Sequence, residues 1–365
     1  MRRLPVRPEI AAAEPYGAPH PDVPNRLNVN ENPYPPPPEV VESVLARVRQ
    51  AVAGANRYPD RDFAELREAL ARYLAAESGA VDLTADGVWA ANGSNEVMLQ
   101  IMLAFGGPKR VCASFDPSYS MYPEYARDTH TAWQPGKREA DFTLDPAHAI
   151  GHIDRVGPTV VLLDSPNNPT GVVTPLADVE ALARHTAGKA VLVVDEAYAE
   201  FRDARTPSAV SLVAKYPHVA VSRTMSKAFA FAGARLGYLA ADPELIRCLR
   251  TVRLPYHLSA LTQAAALGAL EHATLMLSRV DELRERRDRL AAALVAMGLR
   301  VAPSEANFVL FGRFGDRRAV FARLLAAGVI TREVGPEGWL RVSVGTEAET
   351  LAFLRALALT REELE

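Results

Sequence analysis

The stretch AVLVVDEAYAEF, residues 190–201, opens with five apolar residues and then delivers a carboxylate and a tyrosine. AVLVV does not alternate apolar with polar positions, so it predicts a strand buried on both faces. The same pattern recurs on either side of it, in GVWAA (87–91), RVCASF (110–115), TVVLLD (159–164) and HVAVS (218–222). Between these runs lie amphipathic stretches such as Val97, Met98, Ile101, Met102 and Phe105, spaced three and four apart. Strands that alternate with helices predict a parallel α/β sheet, whose ligands sit beyond the carboxyl ends of its strands.

Each run is followed by chemistry. NGSNE follows the first, DPSYSMY the second, SPNNPTG the third, DEAYAEF the fourth and SRTMSKAF the last. Taken singly, Gly93, Ser94 and Asn95 also fit an ordinary helix cap, Asn167 and Asn168 an ordinary turn, and Tyr119 and Tyr198 core aromatics. Together at one sheet edge they form a set. A helix N-terminus at 93–95, hydroxyls at Ser222, Thr224 and Ser226, and the Arg235 guanidinium suit a phosphate. Tyr119 offers a face to a planar ring, Asp195 a partner for a protonated ring nitrogen, and Asn168 and Tyr198 hydrogen bonds for a phenolic oxygen. Lysine is scarce: among 41 basic residues only Lys109, Lys137, Lys189, Lys215 and Lys227 are lysines. Four lie in turn-like contexts that suit a solvated ammonium, including QPGKRE around Lys137. Lys227 sits among apolar neighbours, where a lowered pKa would free its amine to attack a carbonyl. Pyridoxal 5'-phosphate requires this set of groups.

Composition excludes other classes. A net charge of −3 and a hydrophobic fraction of 48% give no sign of a nucleic-acid or membrane partner. The first thirty residues lack the apolar run of a signal peptide, so an intracellular, cytoplasmic chain is expected. Cys112 and Cys248 lie far apart without a CxxC or a histidine cluster, and neither a disulfide nor a metal is expected.

With these residues in view, the chain resembles the fold-type I pyridoxal-phosphate aminotransferases, and most closely the histidinol-phosphate aminotransferases. The resemblance rests on RLNVNENPYPPPP, NRYPDRD, VWAANGSNEV, SPNNPTG, VVDEAYAEF, SRTMSKAF, RLGYLAADP, VRLPYHLSALTQAAAL, ANFVLFGRF and GWLRVSVGT, in order between about residues 26 and 346. It implies that Lys227 bonds the cofactor and shuttles the substrate proton, that Asp195 pairs with the pyridine nitrogen, and that Asn168 and Tyr198 bind its phenolic oxygen. Tyr119 would stack on the ring. Ser94, Asn95, Ser226 and Arg235 would hold the phosphate, joined by Tyr58 from the neighbouring subunit of a homodimer. Arg341, Arg332 and Tyr16 would bind substrate. The implied reaction is transamination between L-histidinol phosphate and 2-oxoglutarate, giving imidazole-acetol phosphate and L-glutamate in histidine biosynthesis. An aromatic amino-acid aminotransferase on the same scaffold is the alternative. Two departures stand out: Asn95 where relatives often carry Asp, and Phe231, which is expected to reshape the pocket.

The implied architecture is an N-terminal arm (1–38) of extended polyproline character, a large cofactor-binding domain (39–255) with a mostly parallel sheet, and a small α+β domain (256–365). One long helix is expected from about 260 to 298. The arginines of ELRERRDRL (282–290) read as a solvated helix face.

Overall fold

The computed structural model describes residues 4–11, 13–80 and 82–362. Its strands are β1 Asn25–Arg26, β2 Val88–Ala91, β3 Val111–Asp116, β4 Ala132–Lys137, β5 Val160–Asp164, β6 Val191–Asp195, β7 Val219–Thr224, β8 Gly237–Ala241, β9 Arg300–Val301, β10 Phe308–Gly312, β11 Val329–Ile330 and β12 Trp339–Ser343. Seven of them form the main sheet, in the order β2-β8-β7-β6-β5-β3-β4. Strands β3 to β7 are mutually parallel, whereas β8 is antiparallel to both β7 and β2. β2 therefore points the same way as the parallel five, and all five apolar runs end on one edge.

Two strands of this sheet escape the pattern of apolar runs. β4, AWQPGK, carries Pro135 and Gly136 and reads as a turn, but it lies at the sheet edge. A proline is tolerated there because one side of the strand has no neighbour to bond. β8 is apolar, yet nothing in its sequence announces that it runs backwards.

Every residue of β5, β6 and β7 is buried, as a sheet covered on both faces demands. Helix starts use local chemistry: Asp145 accepts from the Ala147 amide at 2.8 Å, Asp242 from the Glu244 amide at 2.8 Å, and Ser259 from the Thr262 amide at 3.0 Å. Beneath the sheet edge, Arg223 of β7 is fully buried and bonds Glu77 (2.8 Å), Glu196 (2.8 Å) and Glu200 (3.2 Å). This ties the helix Ala64–Ser78 to the loop after β6.

A second core forms around β10 and β12, with Leu290, Leu294, Phe311, Leu340 and Phe353. Leu27 of the arm is buried in it, and β1 pairs in parallel with β11. The arm is thus bound to the C-terminal unit instead of running free. It holds a short helical turn, Pro8–Ala11, and its prolines 35–37 lead into the helix Pro38–Ala53 with Pro38 at the first position.

Two expectations are corrected. The long helix is three helices, Ala260–Leu270, Ala273–Met276 and Val280–Ala296. The first packs so closely on Pro38–Ala53 that a Cβ on Gly268 would lie 2.8 Å from the Val44 Cα, and a continuous rod cannot both hold that contact and reach the second core. Arg286 and Arg287 are buried, not solvated. Arg286 bonds Glu282 one turn away (2.7 Å) and Tyr34 (3.1 Å), and Arg287 bonds the Phe201 carbonyl (3.1 Å); Tyr34 and Phe201 come from distant parts of the chain.

Candidate active site

A cavity of about 1140 Å³ opens at the carboxyl edge of the main sheet, closed on its other side by the arm and by residues 332–341. Tyr16, Ser94, Asn95, Tyr119, Asn168, Asp195, Tyr198, Ser226, Lys227, Arg235, Arg332 and Arg341 all line it. Chain reversal between strands and helices brings them together from positions spread over more than three hundred residues.

One end is built for an anion. The helix Ser94–Phe105 begins there, directly after Gly93, whose φ of 84° suits only glycine. A Cβ on Gly93 would lie 2.5 Å from Arg235 Nη2, and one on Gly237 would lie 2.0 Å from the Ser94 amide nitrogen. The two glycines let the guanidinium and the helix start share one small volume. Thr224 Oγ1 donates to Ser226 Oγ at 3.0 Å, and Arg235 Nη1 donates to the same Oγ at 3.4 Å. Ser222, grouped with these hydroxyls by sequence, is fully buried and does not reach the cavity.

The middle holds the titratable groups. Lys227 Nζ donates to the Val29 carbonyl at 2.9 Å. Burial, with Arg341 and Arg235 nearby and Glu31 opposing, brings its pKa down to about 8. Burial pushes Asp195 up to about 7, and the Asp164 carboxylate adds to the effect. Tyr122 donates to Asp195 Oδ2 at 3.1 Å, while the buried Oδ1 has no partner. Tyr198 Oη accepts from Asn30 Nδ2 (3.0 Å) and Asn168 Nδ2 (3.3 Å), and burial raises its pKa to about 12. Tyr119 stands at the wall, its hydroxyl donating to Asn95 Oδ1 at 3.4 Å.

At the far end, Arg341 donates to Asn168 Oδ1 and, at 2.8 Å, to the Asn28 carbonyl. Its buried Nε is unpartnered. Arg332 is its antiparallel bridge partner, so two guanidinium stems leave adjacent backbones. Tyr16 hydrogen-bonds Ser120 Oγ at 2.8 Å, closing the arm over the mouth.

Three further residues are placed by the structure, one of them against expectation. Tyr58 lies outside the cavity, 79% exposed and stacked on Tyr256 at 4.4 Å between ring centroids. Phe231 packs in the main core and does not line the cavity, so the expectation that it reshapes the pocket is not met; the neighbouring Ala232 and Gly233 form that wall. Lys137 is exposed, as expected of a solvated lysine, but it ends β4 at the cavity wall instead of lying in a turn. Other residues went unnoticed: Asn30 on Tyr198, Tyr122 on Asp195, and the buried pair Arg138 and Asp164. Asn30 and Tyr122 lie within quoted stretches, but only the fold shows what they touch.

The family model for aminotransferase class I and II matches residues 25–357. A histidinol-phosphate aminotransferase of Bifidobacterium longum is 55% identical over 370 residues, covering 97% of this chain and 96% of its own. One of Thermobifida fusca is 56% identical over 354 residues, covering 97% and 95%. Among solved structures, a histidinol-phosphate aminotransferase from Sinorhizobium meliloti in complex with pyridoxal-5'-phosphate superposes with a TM-score of 0.83 at 25% identity, covering 94% and 92%.

Proposed function

Because the chain belongs to the class I and II aminotransferases, we propose that it moves the amino group of L-histidinol phosphate to 2-oxoglutarate with pyridoxal 5'-phosphate. The products are imidazole-acetol phosphate and L-glutamate, in histidine biosynthesis. The site fits this cofactor on three counts. The glycine-lined cradle at Ser94 and Arg235 takes a phosphate, Asp195 Oδ1 is a buried acceptor without a donor, and Lys227 is a lysine of lowered pKa between them. Bound there, the cofactor supplies an electron sink for the carbon that loses its proton.

The chain's own residues do the rest. Ser94, Asn95, Ser226 and Arg235 hold the phosphate, with the helix N-terminus adding its partial positive charge. Asp195 accepts a hydrogen bond from the ring nitrogen and keeps it protonated. Asn168 and Tyr198 fix the ring's oxygen, and Tyr119 covers the ring. A lysine with pKa about 8 has a sizeable neutral fraction near neutrality, so Lys227 Nζ can take the substrate's α-proton and return it elsewhere. Arg341 and Arg332 bind the acid group of the donor, then a carboxylate of 2-oxoglutarate. Tyr16, bonded to Ser120 at the mouth, would flank the bound donor.

The observation that favours a phosphorylated donor over an aromatic amino acid is the bridge between Arg332 and Arg341, which sets two arginines of the cavity lining on adjacent backbones, where two guanidinium groups would suit one dianion. A half-reaction tests it. L-Histidinol phosphate or L-phenylalanine is added at equal concentration to the cofactor-loaded protein, with Lys227→Ala as the inert control, and the cofactor's absorbance change is followed. A rate at least tenfold faster with histidinol phosphate is expected; equal rates or a preference for phenylalanine would assign the enzyme to aromatic amino-acid metabolism.

The same reading makes the protein a cytoplasmic homodimer in which Tyr58 reaches the partner's cofactor phosphate. One feature supports the shared site: Tyr58 faces outward. The division into arm (1–38), cofactor-binding domain (39–255) and small domain (256–365) belongs to this proposal. Because Ala260–Leu270 packs on the large core, the boundary between the large and small domains moves in this reading from 255/256 to a hinge within residues 271–280.

A further inference from the structure

Asp164 and Asp195 end the neighbouring strands β5 and β6 as register partners, and both line the cavity. Register partners on parallel strands project to the same face. Two buried carboxylates therefore stand side by side, although the chemistry above uses only Asp195. They differ in one respect. Arg138, which follows β4, places Nη2 3.4 Å from Asp164 Oδ1, with both side chains buried. Among the described residues Asp195 has no such cation.

Asp164 has a second task. It accepts from the Asn168 amide at 2.9 Å and from Asn167 Nδ2 at 2.8 Å, so it fixes the turn that carries Asn168. Arg138 is held in turn by the Phe115 carbonyl (3.3 Å) and the Phe142 carbonyl (3.4 Å). None of this touches the reacting atoms.

We propose that Arg138 and Asp164 are a positioning pair in which the guanidinium cancels the Asp164 charge, leaving Asp195 as the one uncompensated carboxylate that meets the cofactor's ring nitrogen. This rests on the reading of Asp195 as the ring-nitrogen partner. The guanidinium is a fixed charge because it does not titrate in proteins. The other groups facing Asp195 are Tyr119, Tyr122, Tyr125 and Tyr198, which stay neutral at physiological pH because burial raises each of them, and Glu196, which follows it directly after the strand ends. Glu196 is turned to the opposite side, where Arg202 and Arg223 bond it. Asp164 is therefore the neighbouring charge that sets when Asp195 loses its proton, and Arg138 sets the charge of Asp164.

The sign follows. In Asp164→Asn the unopposed guanidinium stabilises ionised Asp195, so its proton leaves at lower pH. In Arg138→Met the bare Asp164 carboxylate opposes ionisation, and the proton leaves at higher pH. Each shift is about one pH unit, the lower end for a charge at close range. The double variant carries neither charge and returns toward wild type.

The test is the dissociation constant of pyridoxal 5'-phosphate from the cofactor-stripped full-length protein, measured by tryptophan fluorescence from pH 5.5 to 8.5. Tightening on ionisation of Asp195 appears as a midpoint in this profile. We expect the midpoint to fall in Asp164→Asn and to rise in Arg138→Met, with binding at pH 7 about fivefold weaker in the latter and restored to within about twofold of wild type in the double variant. A merely structural role would weaken all three variants without opposite shifts. An unmoved or raised midpoint in Asp164→Asn overturns the inference, and does so even if Arg138→Met does not fold. Asp195→Asn separates the two readings. If it keeps wild-type affinity and profile, the ring-nitrogen assignment itself fails; if it loses the midpoint while Asp164→Asn leaves it unmoved, only the present inference fails.

Discussion

Asp195 is buried with one oxygen unpartnered, an arrangement that serves a ligand at the expense of the empty protein. Its pKa of about 7 lies above the value of about 4 expected in the unfolded chain. The folded state holds this proton more tightly, so the group's contribution to stability is fully present below pH 4 and is lost as pH rises through 7. Asp195→Asn should therefore stabilise the cofactor-free protein at pH 8, by up to about 4 kcal/mol. The gain should shrink toward nothing near pH 4. Denaturant unfolding at pH 5 and pH 8 checks this, and equal gains at both values would contradict it. The same variant should bind the cofactor more weakly, the expected opposition between stability and function at one residue.

At the scale of elements, the phosphate end depends on how closely β8 approaches the start of the helix Ser94–Phe105. Gly237 permits it, because any Cβ would lie 2.0 Å from the Ser94 amide nitrogen. That atom belongs to backbone and cannot swing aside. Gly237→Ala should push the helix start away from Arg235 and weaken cofactor binding at least tenfold, with a loss of about 1–3 kcal/mol in stability from overpacking. Equilibrium dialysis with pyridoxal 5'-phosphate measures the first and thermal unfolding the second; unchanged affinity would show that the helix start is not a phosphate site. The strand that imposes this contact is the reversed one, whose direction its sequence does not reveal.

Over the whole molecule, exposed large apolar groups are scattered, but one region of the described surface collects several of them. Tyr58 and Leu254 are 79% and 75% exposed, with Tyr256 stacked on Tyr58. Val41, Leu45 and Leu261 are exposed on the adjoining helices Pro38–Ala53 and Ala260–Leu270. Such a concentration marks a surface that becomes covered. Light scattering should give twice the chain mass, and Tyr58→Ala should lower cofactor affinity without changing that mass. A monomer that binds the cofactor at full affinity would rule out a shared site.

The apolar runs, the residues that end them and the isolation of Lys227 were legible in the sequence. Burial on both faces and strand-end chemistry are local properties, carried by a few consecutive residues. The sense of β8, the break of the 260–298 segment and the burial of Arg286 and Arg287 were not legible, because each depends on partners far along the chain. So do the roles of Asn30, Tyr122 and Arg138. Sequence alone determined which groups stand at the edge of the sheet; the tertiary structure decided which of them are paired and which remain free to meet a ligand, since pairing of buried charges depends on distances that only the packed chain sets.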